Sequence, residues 1–99
     1  MERKIAYDIV VAGLRAALEQ TRATLPADTS DDTVLVGKGA VLDSLGVVSL
    51  IVEVEQLVEQ QHSVSVTLAD DKAMSQKNSP FRTIGALVDH VIAAVKEAA

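Results

Sequence analysis

Near the C-terminus six aliphatic residues, Ile84, Leu87, Val88, Val91, Ile92 and Val95, recur at i, i+3, i+4, i+7, i+8 and i+11. A strand exposes alternate residues to one side, so this spacing fits one face of an α-helix and nothing else regular. A weaker stripe of the same kind, Tyr7, Val11, Leu14 and Leu18, predicts a first helix from near Ile5 to near Arg22. A third periodic stretch begins at Asp43-Ser44 and extends to about Gln61. Short oxygen-bearing side chains at its start can accept from the unpaired N–H groups of a helix N-terminus. A chain patterned this way is expected to be all-α.

The connecting segments are read from residues that break helices. Leu25 to Thr33 gathers Pro, small polar residues and acids, and the loop is expected to continue through Gly37 and Gly39. Its Val34, Leu35, Val36 and Val41 are too apolar for free solvent, so they are expected to fold back over the helices. Ser63-Val64-Ser65-Val66 alternates like a strand but has no evident partner, and is read as an extended connector. Thr67 with Asp70 has the form of a capping box, which predicts a short third helix near Ala69 to Ser75, broken by Gln76 to Pro80. The expected architecture is a small four-helix bundle with a long loop between helices one and two, forming one domain over residues 1–99.

Helix two carries more apolar surface than one core contact can use. At about 100° per residue its aliphatic residues separate into two stripes. Val47, Leu50, Ile51, Val54, Leu57 and Val58 make a complete core face. Leu45, Val48 and Val52 lie nearly opposite and continue into Glu55 and Glu59. A single-layer bundle buries only one of these faces, so the second is expected to be exposed. An apolar strip running into carboxylates suits transient docking on basic partners, although isolated surface valines and solvated acids are also ordinary.

Composition narrows the chemistry. The chain carries 14 acids against 9 bases, a formal net charge of −5, which repels a phosphate backbone, and two aromatic residues leave little surface for stacking bases. Nucleic acid is therefore not expected as a partner. No Cys is present, which removes thiolate catalysis and Cys-based zinc sites. The two histidines, His62 and His90, lack clustered partners and are read as surface residues, with His62 favourably placed at a helix C-terminus. No metal site, membrane span or signal peptide is expected, and the chain reads as a cytoplasmic monomer.

Asp43-Ser44-Leu45, opening helix two within Val41 to Leu50, resembles the attachment motif of the acyl carrier proteins. In that family the serine receives 4′-phosphopantetheine from coenzyme A through a phosphopantetheinyl transferase and carries acyl groups as thioesters. The resemblance covers about Tyr7 to Val95 and includes apolar Val48 and Leu50, acidic Glu55, the long preceding loop, the short third helix and the ending Phe81 to Leu87. It implies that Ser44 holds the prosthetic group, that Asp43 and Leu45 complete the motif, and that Leu45, Val48, Val52, Glu55 and Glu59 dock the transferase and acyl-activating ligases or synthases with basic patches. It implies no catalytic residue in the chain itself. Leu42, Gly46 and Ser49 depart from the usual fatty-acid carrier, which has small, acidic and acidic residues there. The departures favour a specialised carrier serving a dedicated pathway over a housekeeping one.

Other readings stay open on sequence alone. An aminoacyl or peptidyl carrier would share the fold but usually has Gly-Gly-x-Ser-Leu around its serine. Ser44 could also be an N-cap and nothing more, leaving an unmodified interaction module. A hydrolase would join Ser44 to His62 or His90 and a carboxylate such as Asp89, but the Gly-x-Ser-x-Gly elbow is absent. If acyl chains are sheltered, Val54, Leu57, Ile84 and Val88 between helices two and four would line the pocket. Core packing explains those four equally well.

Overall fold

The computed structural model describes residues 1–20, 22–36, 39–68 and 81–98, and at Ser44 the backbone alone. The described residues form three helices: α1 (Arg3–Gln20), α2 (Ser44–His62) and α3 (Ile84–Ala98). None of them belongs to a strand, so the chain is all-helical as far as it is described. The short helix expected near Ala69 to Ser75, its Asp70, and the break at Gln76 to Pro80 lie outside the described residues.

α1 is the central helix. It packs against both α2 and α3, whereas no Cα of α2 lies within 8 Å of one in α3. A helix contacted from two sides buries a broad face, and in α1 that face is Ala6, Ile9, Val10, Gly13, Leu14, Ala17 and Leu18. The expected stripe is therefore only partly right: Leu14 and Leu18 are buried, while Tyr7 and Val11 sit at its half-exposed margins. The centre is held by small residues because α2 approaches closely there. A Cβ on Gly13 would meet Val54 Cγ2 at 2.9 Å and Leu50 Cδ1 at 3.3 Å. α3 follows its sequence pattern closely, with Ile84, Leu87, Val88, Val91 and Val95 buried and Ile92 half-buried.

The loop after α1 is stitched to the start of α3. Leu35 N–H donates to the Arg82 carbonyl at 2.7 Å, Ile84 N–H to Thr33 at 3.1 Å and Gly85 N–H to Asp31 at 2.8 Å. Ala86 N–H donates to Thr83 Oγ1 at 3.1 Å, so the otherwise orphaned N–H groups of the first turn of α3 find acceptors. The backbone places Leu35 fully in the core and leaves Val34 and Val41 half-buried. Val36 departs from expectation: it is 39% exposed, because consecutive residues of this segment face opposite ways. Arg3 adds a polar clasp, pairing with Asp31 at 3.2 Å and with Asp89 of α3. The hydrogen bond to Asp89 raises the Arg3 pKa still further above its ordinary value.

α2 ends at Ser63, which adopts a left-handed conformation (φ 55°, ψ 32°) and donates its N–H to Glu59 O. His62 sits in the last turn, where a cation complements the helix dipole. Beyond it the connector has no strand partner among the described residues; Val64 and Val66 turn toward the core and Ser65 and Thr67 outward. Leu68 ends the connector fully buried.

Candidate functional site at the start of the second helix

The cap of α2 is Asp43. Its backbone is extended (φ −88°, ψ −176°), and its Oδ1 accepts from Gly46 N–H at 2.7 Å. The backbone carbonyl of Asp43 accepts from Val47 N–H at 3.0 Å, the first rung of the helix ladder. Ser44 is the first helical residue, one position inside the cap. The reading of Ser44 as this helix's N-cap is thereby corrected: of two adjacent residues able to cap, the carboxylate at Asp43 takes the role.

Leu42 and Gly46, which sequence reading treats as two separate departures, form one packing unit. A Cβ on Gly46 would lie 2.9 Å from Leu42 Cδ2, 3.1 Å from Leu42 Cβ and 3.2 Å from Asp43 Oδ1. Leu42 thus occupies the space that a side chain at position 46 would need, directly over the capping bond. Gly46→Ala is expected to destabilise the chain by about 1–3 kcal/mol through this overlap, less whatever alanine adds in helix propensity. In Leu42→Ala/Gly46→Ala the closest overlap, with Leu42 Cδ2, is gone and only the 3.1 and 3.2 Å approaches to the residue-42 Cβ and Asp43 Oδ1 remain, so the two changes are expected to be non-additive by at least about 0.5 kcal/mol in a urea-denaturation cycle.

The two-stripe reading of α2 holds in the structure. Leu50, Val54 and Val58 are buried, and Val47, Ile51 and Leu57 are half-buried beside them. On the opposite side Leu45 is 78% exposed, Val48 58% and Val52 44%. Glu59 is exposed at the far end of this face. Glu55 is half-buried, and its Oε2 accepts from Leu68 N–H at 2.7 Å. Nearer the cap, Ser49 Oγ donates to Gln20 Oε1 at 3.2 Å, tying the exposed side of α2 to the end of α1.

His90 differs from the surface histidine expected of it. Its Nε2–H donates to the Leu68 carbonyl at 2.7 Å, and its ring meets Phe81 edge-on, with centroids 5.6 Å apart and planes at 84°. Its partner lies 22 residues away in the chain, so no local pattern could reveal the contact. The hydrolase constellation finds no support. His62 closes the 19-residue α2 that Ser44 opens, so the two stand about 27 Å apart along the axis. His90 is engaged with Leu68, and Asp89 with Arg3.

Val54, Ile84 and Val88, considered as pocket lining, are all fully buried, and Leu57 is half-buried. Among the described residues shallow clefts lie elsewhere, including one of about 240 Å³ beside Ile5, Asp8, Ile9 and Gln61 and one of about 340 Å³ beside Arg3, Lys4, Tyr7 and Asp31. Among the described residues no three His, Cys, Asp or Glu side chains gather as a metal site would require. No helix of the described residues is long and apolar enough to cross a membrane. Comparison with family models, with curated proteins and with solved structures found no match for this chain.

Proposed function

We propose that the chain is an acyl carrier protein in which Ser44 bears a 4′-phosphopantetheine arm. The observation that carries this reading is the combination at the start of α2. Asp43 serves as the cap, Ser44 follows it at the helix N-terminus, and the exposed stripe of Leu45, Val48 and Val52 begins beside it. Resemblance of Asp43-Ser44-Leu45 to the carrier motif supplies the chemistry. The reading also includes the four-helix arrangement of such carriers, with a short helix before α3, in a single cytoplasmic, monomeric domain. Aminoacyl cargo would be a variant of the same reading, favoured by the glycine at position 46 and the modest acidity of α2.

In this mechanism the chain supplies a nucleophile and a landing surface, and the transferase supplies Mg²⁺ and the general base. Ser44 Oγ attacks the β-phosphate of coenzyme A, its proton passes to the transferase base, and the nucleotide half leaves as the new phosphodiester forms. That phosphodiester sits at a helix N-terminus, where N–H dipoles favour an anion by about 0.3–1 kcal/mol at exposed sites. Asp43 holds the helix start and, by resemblance, contributes to contact with the transferase and its metal. A phosphopantetheine group held on Ser44 would supply a thiol for thioester formation, and tethering at this helix start would raise the effective concentration of the cargo at partner active sites. The stripe supplies modest apolar affinity, and the acids beyond it steer basic partners.

Val48→Asp tests the landing surface. Val48 is 58% exposed, so the substitution is expected to leave stability within about 0.5 kcal/mol. Burying an aspartate in the docked complex is expected to slow loading by at least about tenfold at sub-saturating chain. Loading at the wild-type rate would remove Val48 from the docking surface.

A further inference from the structure

Leu68 is held from both sides by two helices whose backbones stay more than 8 Å apart at every Cα. Its side chain is fully buried, its N–H donates to Glu55 Oε2 of α2 at 2.7 Å, and its carbonyl accepts from His90 Nε2–H of α3 at 2.7 Å. No Cα of α2 comes within 8 Å of one in α3, and Leu68 joins the two helices by hydrogen bonds from its own backbone. Glu55 has a second position to answer for. On the helix wheel it lies on the same side as Leu45, Val48 and Val52, where the exposed stripe turns acidic.

We propose that Glu55 couples docking to the connector: a partner's ammonium or guanidinium group drawn to the acidic end of the stripe takes the Glu55 carboxylate away from Leu68 N–H. The proposal rests on the docking reading above. Both bonds are charge-assisted, but a cation brings a full opposite charge to the carboxylate where the amide brings only a dipole, so a partner binds better to the conformation in which Glu55 has let go. Its differential affinity shifts the population toward that conformation. His90 keeps the Leu68 carbonyl attached to α3, so the connector 63–68 loosens from α2 alone. Docking at one end of α2 would thus change how tightly α2 and α3 are joined at the other.

The test is amide hydrogen exchange at Leu68, with and without a phosphopantetheinyl transferase and with coenzyme A omitted, so that the chain docks without being modified. Shifts of the Leu45, Val48 and Val52 methyl resonances report docking independently. On docking, Leu68 exchange is expected to accelerate by about tenfold or more. In Glu55→Gln the amide oxygen can still accept from Leu68 N–H but carries no charge, so Leu68 stays protected whether or not the stripe is occupied. Docking with unchanged Leu68 exchange would overturn the coupling and leave the docking reading standing. Equal acceleration in Glu55→Gln would also overturn it, because the cation would then not be the cause. Absence of any methyl shift would overturn the docking reading and the coupling with it.

Discussion

Leu14→Ala is expected to lower the stability of the chain by about 3–4 kcal/mol, within the range seen when a buried leucine is truncated in a core that cannot collapse around it. Leu14 is fully buried on α1, the helix that packs against both others. A cavity there cannot be closed by moving one neighbour, because α1 is held from two sides. Domains of this size have total stabilities of roughly 5–15 kcal/mol, so the variant would stand close to unfolding. The thermal midpoint is expected to fall by about 12–32 °C, taking 4–8 °C per kcal/mol for a domain of this length. Circular dichroism at 222 nm during heating reads it directly. A loss below about 1 kcal/mol would mean that Leu14 is not at the centre of the packing.

Ser44→Ala is expected to abolish phosphopantetheine loading while leaving the fold intact. The two effects separate because the cap of α2 is Asp43 and not Ser44. The Asp43 capping bond to Gly46 N–H is untouched by the change, so urea denaturation is expected to place the variant within about 0.5 kcal/mol of wild type. Asp43→Ala should behave in the opposite sense, costing about 0.5–2 kcal/mol through loss of the cap. Asp43→Asn distinguishes the roles of that residue. Asn caps about as well as Asp, so stability should be kept, while loading should slow if the charge serves the transferase and its metal. A Ser44→Ala chain that lost a kilocalorie or more would return Ser44 to a structural role.

Large aliphatic side chains are what made the fold legible in the sequence. The α3 stripe from Ile84 to Val95 was read correctly because each member is bulky and each faces the core. The α1 face is harder to read because the consecutive Ile9, Val10 and Val11 allow more than one stripe, and the buried pair is Ile9 and Val10 where the spacing from Tyr7 selects Val11. Ala6, Gly13 and Ala17 carry no weight in a pattern built from large residues, although α2 packs closely over Gly13. At the site, the stripe of Leu45, Val48 and Val52 was visible because helical geometry alone sends them away from Leu50 and Val54. The division of labour between Asp43 and Ser44 was not, since adjacent residues could both cap. The bridge at Leu68 was invisible: Glu55 lies 13 residues and His90 22 residues from it, and neither sits in a local motif. Leu42 and Gly46 could be seen as unusual, but that one fills the space left by the other is a fact of three dimensions.

Intact mass of the chain, taken after incubation with coenzyme A, Mg²⁺ and a broad-specificity phosphopantetheinyl transferase, tests the carrier reading most directly. The wild type is expected to gain one phosphopantetheine and Ser44→Ala none, with both chains folded by circular dichroism. A folded wild type that gains no mass with two different transferases, or a Ser44→Ala chain that gains the same increment, would contradict it, and the exposed stripe of α2 would then belong to an unmodified interaction module.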